Sequence, residues 1–216
     1  MSRLLAASLA CLTLALAAGP APAADDGTGE EETAQQEPVT LDRLSDYLNS
    51  LTVILARFTQ VNSDGTLSRG TLAIRRPWRA RLEYDPPDPG LVVAGAKRIA
   101  FIDRKSNSQP NIFPLKRTPL YLLLKENINP GDPDLRARLV TGADYSELHM
   151  QSPSKSYKGQ LVLSFVNNPL QLDGWTFVDE LGNRTHVSLD SITAGVVLSD
   201  SLFDIELELA NQERNR

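Results

Sequence analysis

The chain has one cysteine, Cys11, in its 216 residues, and it lies inside an apolar run at the N-terminus. A single thiol excludes an internal disulfide, a redox pair and any zinc site built from thiolates. Histidine is almost as scarce. His149 and His186 both fall in stretches with strand character, and neither has a partner at a metal-ligand spacing. No Gly-x-Ser-x-Gly elbow, His-Glu-x-x-His pair, glycine-rich phosphate loop or calcium loop is present. Carboxylates such as Glu83, Asp103 and Asp179 are plentiful, but nothing in the sequence pairs them as acid and base. Catalysis therefore has no visible vehicle: no catalytic residue, no metal ligand and no cofactor are expected. Past the N-terminal run no stretch reaches 18 apolar residues, so the remainder is expected to be soluble.

What is present at the N-terminus is MSRLLAASLACLTLALAAGPAPAA, residues 1–24. A basic start at Arg3, an apolar run from Leu4 to Ala18 and the small residues Ala21-Pro22-Ala23 predict a secretory signal peptide, cleaved after Ala23 or Ala24. An uncleaved anchor is the competing reading, but about 15 apolar residues fall short of the roughly 20 that span a bilayer. Cys11 sits inside that run where a lipid-anchor cysteine would end it, so it is read as part of the discarded leader. The exported chain is then free of cysteine, and its fold must rest on core burial alone. About 190 residues remain, enough for one domain that buries about 70% of its unfolded surface.

Charge is uneven. Residues 25–38, DDGTGEEETAQQEP, hold six carboxylates and no basic residue, which predicts a disordered acidic linker. From Val39 onward 21 basic residues meet 21 acidic ones, so the domain expected over residues 39–216 is neutral. Nucleic-acid binding is excluded on that balance together with export, although arginines interleave with Trp78 and Tyr84.

Leu41, Leu44, Leu48, Leu51, Leu55 and Phe58 recur at three- and four-residue spacing and predict a helix over residues 40–58, capped by Thr40. The period then becomes two. Short strands are expected around residues 58–61, 70–74, 78–84, 91–94 and 98–103, and again over 146–152, 159–166, 170–179 and 184–189, with a last strand from Leu202 to Leu209. A second, almost wholly apolar helix is expected from Thr118 to Asn127, with Pro119 in its first turn. Residues 128–143 show no clear period. Strands spaced by about ten residues with turns between them indicate a curled antiparallel sheet, and the helices are too few for a parallel α/β fold.

Residues 74–90, IRRPWRARLEYDPPDPG, place four arginines within seven positions. On the strand before the proline, Leu72, Ile74 and Arg76 share one face, and Thr71, Ala73 and Arg75 the other. If Leu72 and Ile74 point inward, Arg76 does too. An unpaired buried charge costs several kcal/mol, so Arg76 must reach acceptors on another segment, such as carbonyls at a helix end or loop. Arg75, Arg79 and Arg81 are expected on the solvated outer face.

Five motifs in order resemble the periplasmic lipoprotein-carrier family, LolA. They are Phe58-Thr59-Gln60; Gly70 to Pro77; Arg79-Ala80-Arg81-Leu82-Glu83-Tyr84 followed by prolines; Gly95; and Thr118-Pro119-Leu120 with Leu123-Leu124. The resemblance implies a mainly β fold of the α+β kind, an incomplete antiparallel barrel with helices as a lid over a hydrophobic cavity. It implies a monomeric chaperone, not an enzyme, that takes acylated lipoproteins from an inner-membrane ABC transporter, shields their acyl chains and passes them to an outer-membrane receptor. Arg76 corresponds to the family's lid latch. Leu72, Ile74, Trp78, Leu82, Tyr84, Leu120, Leu123 and Leu124 are the candidate lipid-binding residues, by parity. Three features depart from the family pattern: Ala94 before Gly95 in place of an acidic residue, the long acidic linker, and a C-terminus without a proline-glycine tail. A periplasmic sensor or regulatory domain that binds a lipid or protein on the same half-barrel is the alternative.

Overall fold

The computed structural model describes residues 37–106, 108–151 and 159–214. The expected signal peptide, and all of the acidic linker before Glu37, lie outside the described residues.

The helical period at the start yields α1 only over Leu41–Ser50. Thr40 caps it, its hydroxyl accepting from the Arg43 N–H at 3.2 Å, and Leu44 and Leu48 are its buried residues. The expected continuation to Phe58 is wrong. The β-branched run Thr52-Val53-Ile54 disfavours helix, and Val53–Val61 form strand β1, burying Ile54, Ala56 and Phe58. Leu51, Leu55 and Phe58 fit a helical spacing on paper. Ladders on both sides of β1 decide for the strand.

From β1 the chain meanders through β2 (Leu67–Arg75), β3 (Arg79–Tyr84), β4 (Gly90–Gly95), β5 (Arg98–Asp103) and β6 (Asn111–Pro114). After a crossover it returns through β7 (Arg136–Thr141), β8 (Tyr145–Gln151), β9 (Gly159–Asn167), β10 (Leu170–Asp179) and β11 (Arg184–Ala194). The strands form one antiparallel sheet of 11, in the order β6-β5-β4-β3-β2-β1-β11-β10-β9-β8-β7. The antiparallel sheet expected from strand rhythm is thus present, and it is not closed, as the resemblance implied. β7, in the stretch without a clear period, is an edge strand hydrogen-bonded only to β8, and only Ala137 and Leu139 on its inner face pack partly against the core.

This topology has a geometric consequence. Because β6 and β7 are the two free edges, residues 115–135 must travel from one edge of the sheet to the other. Along the way Leu115, Leu120, Leu122, Leu123, Leu124 and Ile128 join the same core as the inner faces of β1, β2, β9 and β10. The crossover therefore lies over the concave side. Its helix is shorter than expected: a 3-10 turn at Leu115–Arg117 precedes α2, which spans only Leu120–Leu123. Thr118 does not cap it, donating instead to the Leu115 carbonyl at 2.9 Å. Three successive leucines, Leu122 to Leu124, cannot share one helical face, and leaving the helix lets all three be buried.

The C-terminus corrects a further expectation. In place of a strand from Leu202 to Leu209 there is a 3-10 turn at Asp200–Phe203 and a helix α3 over Ile205–Arg214. Alternation in Ile205-Glu206-Leu207-Glu208-Leu209 mimics a strand, yet Asp204 accepts from the Leu207 N–H at 3.1 Å, as an N-cap does. Ile205 packs with Leu91, Val93, Ala100 and Ile102 in a second, smaller core on the outer face, with Leu209 at its margin. This covers two of the arginines expected in solvent. Arg75 lies over the Phe203 ring, 5.5 Å from its centroid, donates to the Leu198 carbonyl at 2.9 Å and pairs with Asp200. Arg81 pairs with Glu83 at 3.0 Å and Glu208 at 3.1 Å. Arg79 is half-buried.

Gly95 is where the covering segment comes closest: a β-carbon there would stand 2.0 Å from the Phe203 carbonyl oxygen. That oxygen belongs to the backbone and cannot swing aside, so Gly95→Ala must push the C-terminal segment off the sheet or strain β4. The expected loss is about 1–3 kcal/mol, read as a lower urea midpoint, with faster amide exchange over residues 200–214. An unchanged midpoint and exchange pattern would show that the segment is not seated on Gly95.

Candidate functional site

A cavity of about 460 Å³ remains between the concave face and the crossover. β3, β4 and β5 contribute Leu82, Tyr84, Val92, Ile99 and Phe101; β10 and β11 contribute Trp175, Phe177, Thr185 and Val187; the crossover contributes Arg117, Thr118, Pro119 and Leu120. The walls are mostly hydrocarbon and aromatic, with Gln60 as a polar exception that accepts from the Tyr84 hydroxyl at 2.8 Å. Burial raises the Tyr84 phenol pKa above its ordinary value, and the Gln60 hydrogen bond offsets part of that rise. Phe101 is 42% exposed at the rim and meets Phe113 edge-on, centroids 6.3 Å apart.

Trp175, Phe177 and Val187 are wall residues that sequence reasoning missed. Counting by two from Leu172, which is on the inner face, sends Trp175 outward. The β9–β10 ladder slips between Leu172 and Gly174, and this bulge returns Trp175 to the inner face, opposite Val187. Gly174 was the available signal, because glycine inside a strand marks bulges and close backbone approach: a β-carbon there would stand 2.1 Å from the Val187 carbonyl oxygen. Trp175 is fully buried, and its indole N–H has no partner among the described residues. An unmet buried donor costs about 1–3 kcal/mol.

The candidate lipid-binding residues divide into three groups. Leu82, Tyr84 and Leu120 border the cavity. Trp78 borders a neighbouring space of about 320 Å³, where it stacks on Tyr121 at 5.1 Å between centroids and 16° between planes. Leu72, Ile74, Leu123 and Leu124 are packed in the core and border neither space. For Leu72 and Ile74 the cause is curvature: side chains on one face of a bent sheet do not all reach the same void.

Arg76 occupies the inner side, 9% exposed, just past the end of β2. Its Nη2 donates to the Leu48 carbonyl at 2.7 Å and its Nε to the Leu51 carbonyl at 3.2 Å, both at the C-terminal end of α1. Nη1 reaches the Lys125 carbonyl and Asn49 Oδ1, each at 3.5 Å. One guanidinium thus touches the end of α1 and the crossover together. Desolvation by burial lowers its pKa from the ordinary value, while the carbonyls at the helix end place partial negative charge around it. Asn49 adds to the connection, accepting from the Ile128 N–H at 2.9 Å and donating to the Ile128 carbonyl at 3.0 Å. Ser45 donates to that same carbonyl at 2.8 Å. Next to Arg76, the Trp78 N–H donates to the Leu124 carbonyl at 2.9 Å.

Among the described residues no group of three or more histidines, cysteines or carboxylates could hold a metal ion, and no helix is long and apolar enough to cross a membrane.

The chain is 23% identical over 166 residues to the uncharacterized protein RP864 of Rickettsia prowazekii, covering 76% of each chain. Of solved structures, the LolA superfamily protein NE2245 from Nitrosomonas europaea matches over 78% of this chain and 99% of its own, at 10% identity and a TM-score of 0.45. The MucA/MucB complex of Pseudomonas aeruginosa matches over 74% of this chain and 60% of that one, at 14% identity and a TM-score of 0.42. The profile described as "Outer membrane lipoprotein carrier protein LolA" matches residues 49–206, well over half of the sequence, and the chain belongs to that family.

Proposed function

We propose that this protein is a non-enzymatic periplasmic carrier that shields lipoprotein acyl chains and moves them from the inner to the outer membrane. The observation that supports this most directly is a cavity with apolar walls beneath a crossover joined to the end of α1: the buried Arg76 donates to the Leu48 and Leu51 carbonyls and reaches the Lys125 carbonyl of the crossover at 3.5 Å, and Asn49 and Ser45 hold Ile128. At about 0.8 kcal/mol per methylene, a chain of roughly fifteen methylenes loses about 12 kcal/mol of burial on entering water. Acyl chains therefore do not cross an aqueous compartment unshielded.

Capacity sets a condition on loading. A methylene takes up about the ~30 Å³ of a liquid water molecule, so some 460 Å³ holds roughly fifteen methylenes, or one chain. A triacylated cargo needs the crossover to move. The contacts that hold it are suited to this: the one charged hydrogen bond from Arg76 to the crossover, at the Lys125 carbonyl, contributes at most about 1.5–3 kcal/mol, enough to favour closure and small against the burial of a chain. Arg76 is the latch in this reading. The expected partners are an inner-membrane ABC transporter that loads the carrier and an outer-membrane receptor that unloads it, with transfer running down a gradient of affinity and no covalent step.

Linkage gives the latch a direction. If cargo binds the open form, weakening the closed form raises apparent affinity and slows release. Arg76→Leu is expected to leave the sheet folded, speed amide exchange over residues 120–128, and tighten binding of a triacylated lipopeptide by about 10–100-fold, the equivalent of losing about 1.5–3 kcal/mol of closure. Unaltered lipopeptide affinity and release in this variant would remove Arg76 from the mechanism.

The carrier reading itself is tested by loading the exported chain with a triacylated lipoprotein and following its delivery to acceptor membranes or a receptor. Delivery is expected. Tight binding with no delivery would identify a lipid- or protein-sensing domain in place of a carrier.

A further inference from the structure

The proposed cargo leaves one group of side chains without a use. Lys97, Lys116 and Arg117 are all exposed, and among the described residues none of them has a carboxylate partner. The fold brings them together. The Leu115 N–H donates to the Lys97 carbonyl at 2.9 Å, which fastens the 3-10 turn carrying Lys116 and Arg117 to the β4–β5 turn. Lys97 and Lys116 line the space beside the Trp78–Tyr121 stack. Arg117 borders the apolar cavity itself.

A cation at the edge of a hydrocarbon-walled space for roughly one chain, with two more on the adjoining space, defines the shape of a ligand. The acyl chains of a lipoprotein are joined through esters and an amide, whose carbonyl oxygens accept hydrogen bonds but carry no net charge to neutralise three cations. We infer that the cavity also accepts an anionic amphiphile, one acyl chain inside and a phosphate headgroup held at the cavity edge by Arg117, with Lys116 and Lys97 contributing from the adjoining space. Arg117 is suited to two parallel hydrogen bonds to a phosphate, and the lysines add point charges. The inference rests on the cavity being an acyl-chain site, as proposed above. It adds selectivity for the headgroup.

The test uses two probes with the same chain, 11-bromoundecyl phosphate and 11-bromoundecyl maltoside, each below its micelle concentration. Bromine at the chain end quenches tryptophan on contact, and Trp175 is in the cavity wall. The phosphate probe is expected to bind the exported full-length chain about tenfold tighter than the maltoside. Quenching should be lost in Trp175→Phe, and inorganic phosphate at the same concentration should not displace the probe. In a Lys97→Gln, Lys116→Gln, Arg117→Gln triple variant the two probes should bind equally, at the maltoside's wild-type affinity.

Equal affinities in the wild-type protein, or a phosphate preference that survives the triple substitution, overturn headgroup recognition and leave the acyl-chain site standing. Failure of both probes to bind overturns the acyl-chain site as well. Displacement by inorganic phosphate alone, or binding to anionic phosphatidylglycerol vesicles with no quenching by the probe, assigns the cations to a free anion or a membrane surface and overturns the coupling to the cavity.

Discussion

A guanidinium on the apolar side of a curved sheet is the constraint that organises the lid. Arg76 cannot stay there unpaired, and the acceptors that meet it are main-chain carbonyls at the end of α1 and in the crossover. Main-chain oxygens are free to accept where a segment leaves regular hydrogen bonding, as the last turn of α1 does. The charge thus ties the end of α1 to the crossover, and Asn49 and Ser45 repeat the connection nearby. Polar contacts of this kind are strong when made and separable when water enters. Hydrocarbon packing alone would not combine those two properties.

The sheet supplies what the lid covers. Pairing β1 with β11 places the chain's two meanders side by side and leaves β6 and β7 as open edges, so the link between them has to pass over the concave face. The outer face has its own cover. The C-terminal segment buries Ile205 against Leu91, Val93, Ala100 and Ile102 and pairs Arg75 and Arg81 with carboxylates. β4 and β5 are therefore packed on both sides, opposite the bulged wall that carries Trp175. Bending concentrates the free space under residues 117–120 and leaves Leu72 and Ile74 in solid core.

Legibility in the sequence followed the range of the interactions. Thr40 as a cap, the strand periods of β2 to β5 and β8 to β11, and the glycine at position 95 are visible because a neighbour in sequence or a fixed backbone need imposes them. Residues 51–58 and 202–209 misled because leucine and isoleucine at mixed spacing satisfy two periods at once. Which one is realised depends on whether a partner strand is available, as at β1, or whether the outer face of the sheet is, as at α3. Trp175 was hidden for a related reason: a one-residue slip in the ladder reverses parity beyond it.

By itself the sequence determined the class of the molecule: a single cysteine and no histidine cluster for chemistry, alternating strands that must curl into an antiparallel sheet, and an arginine in phase with leucine and isoleucine. These are properties of composition and local period, and they do not depend on what lies across the fold. The tertiary structure alone decided that the crossover lies over the concave face, that four of the candidate lining residues are core while β10 and β11 supply the opposite wall, and that two of the outward arginines are covered by a helix. Each of those depends on contacts between residues tens of positions apart, where curvature and packing choose among arrangements that the local pattern permits equally.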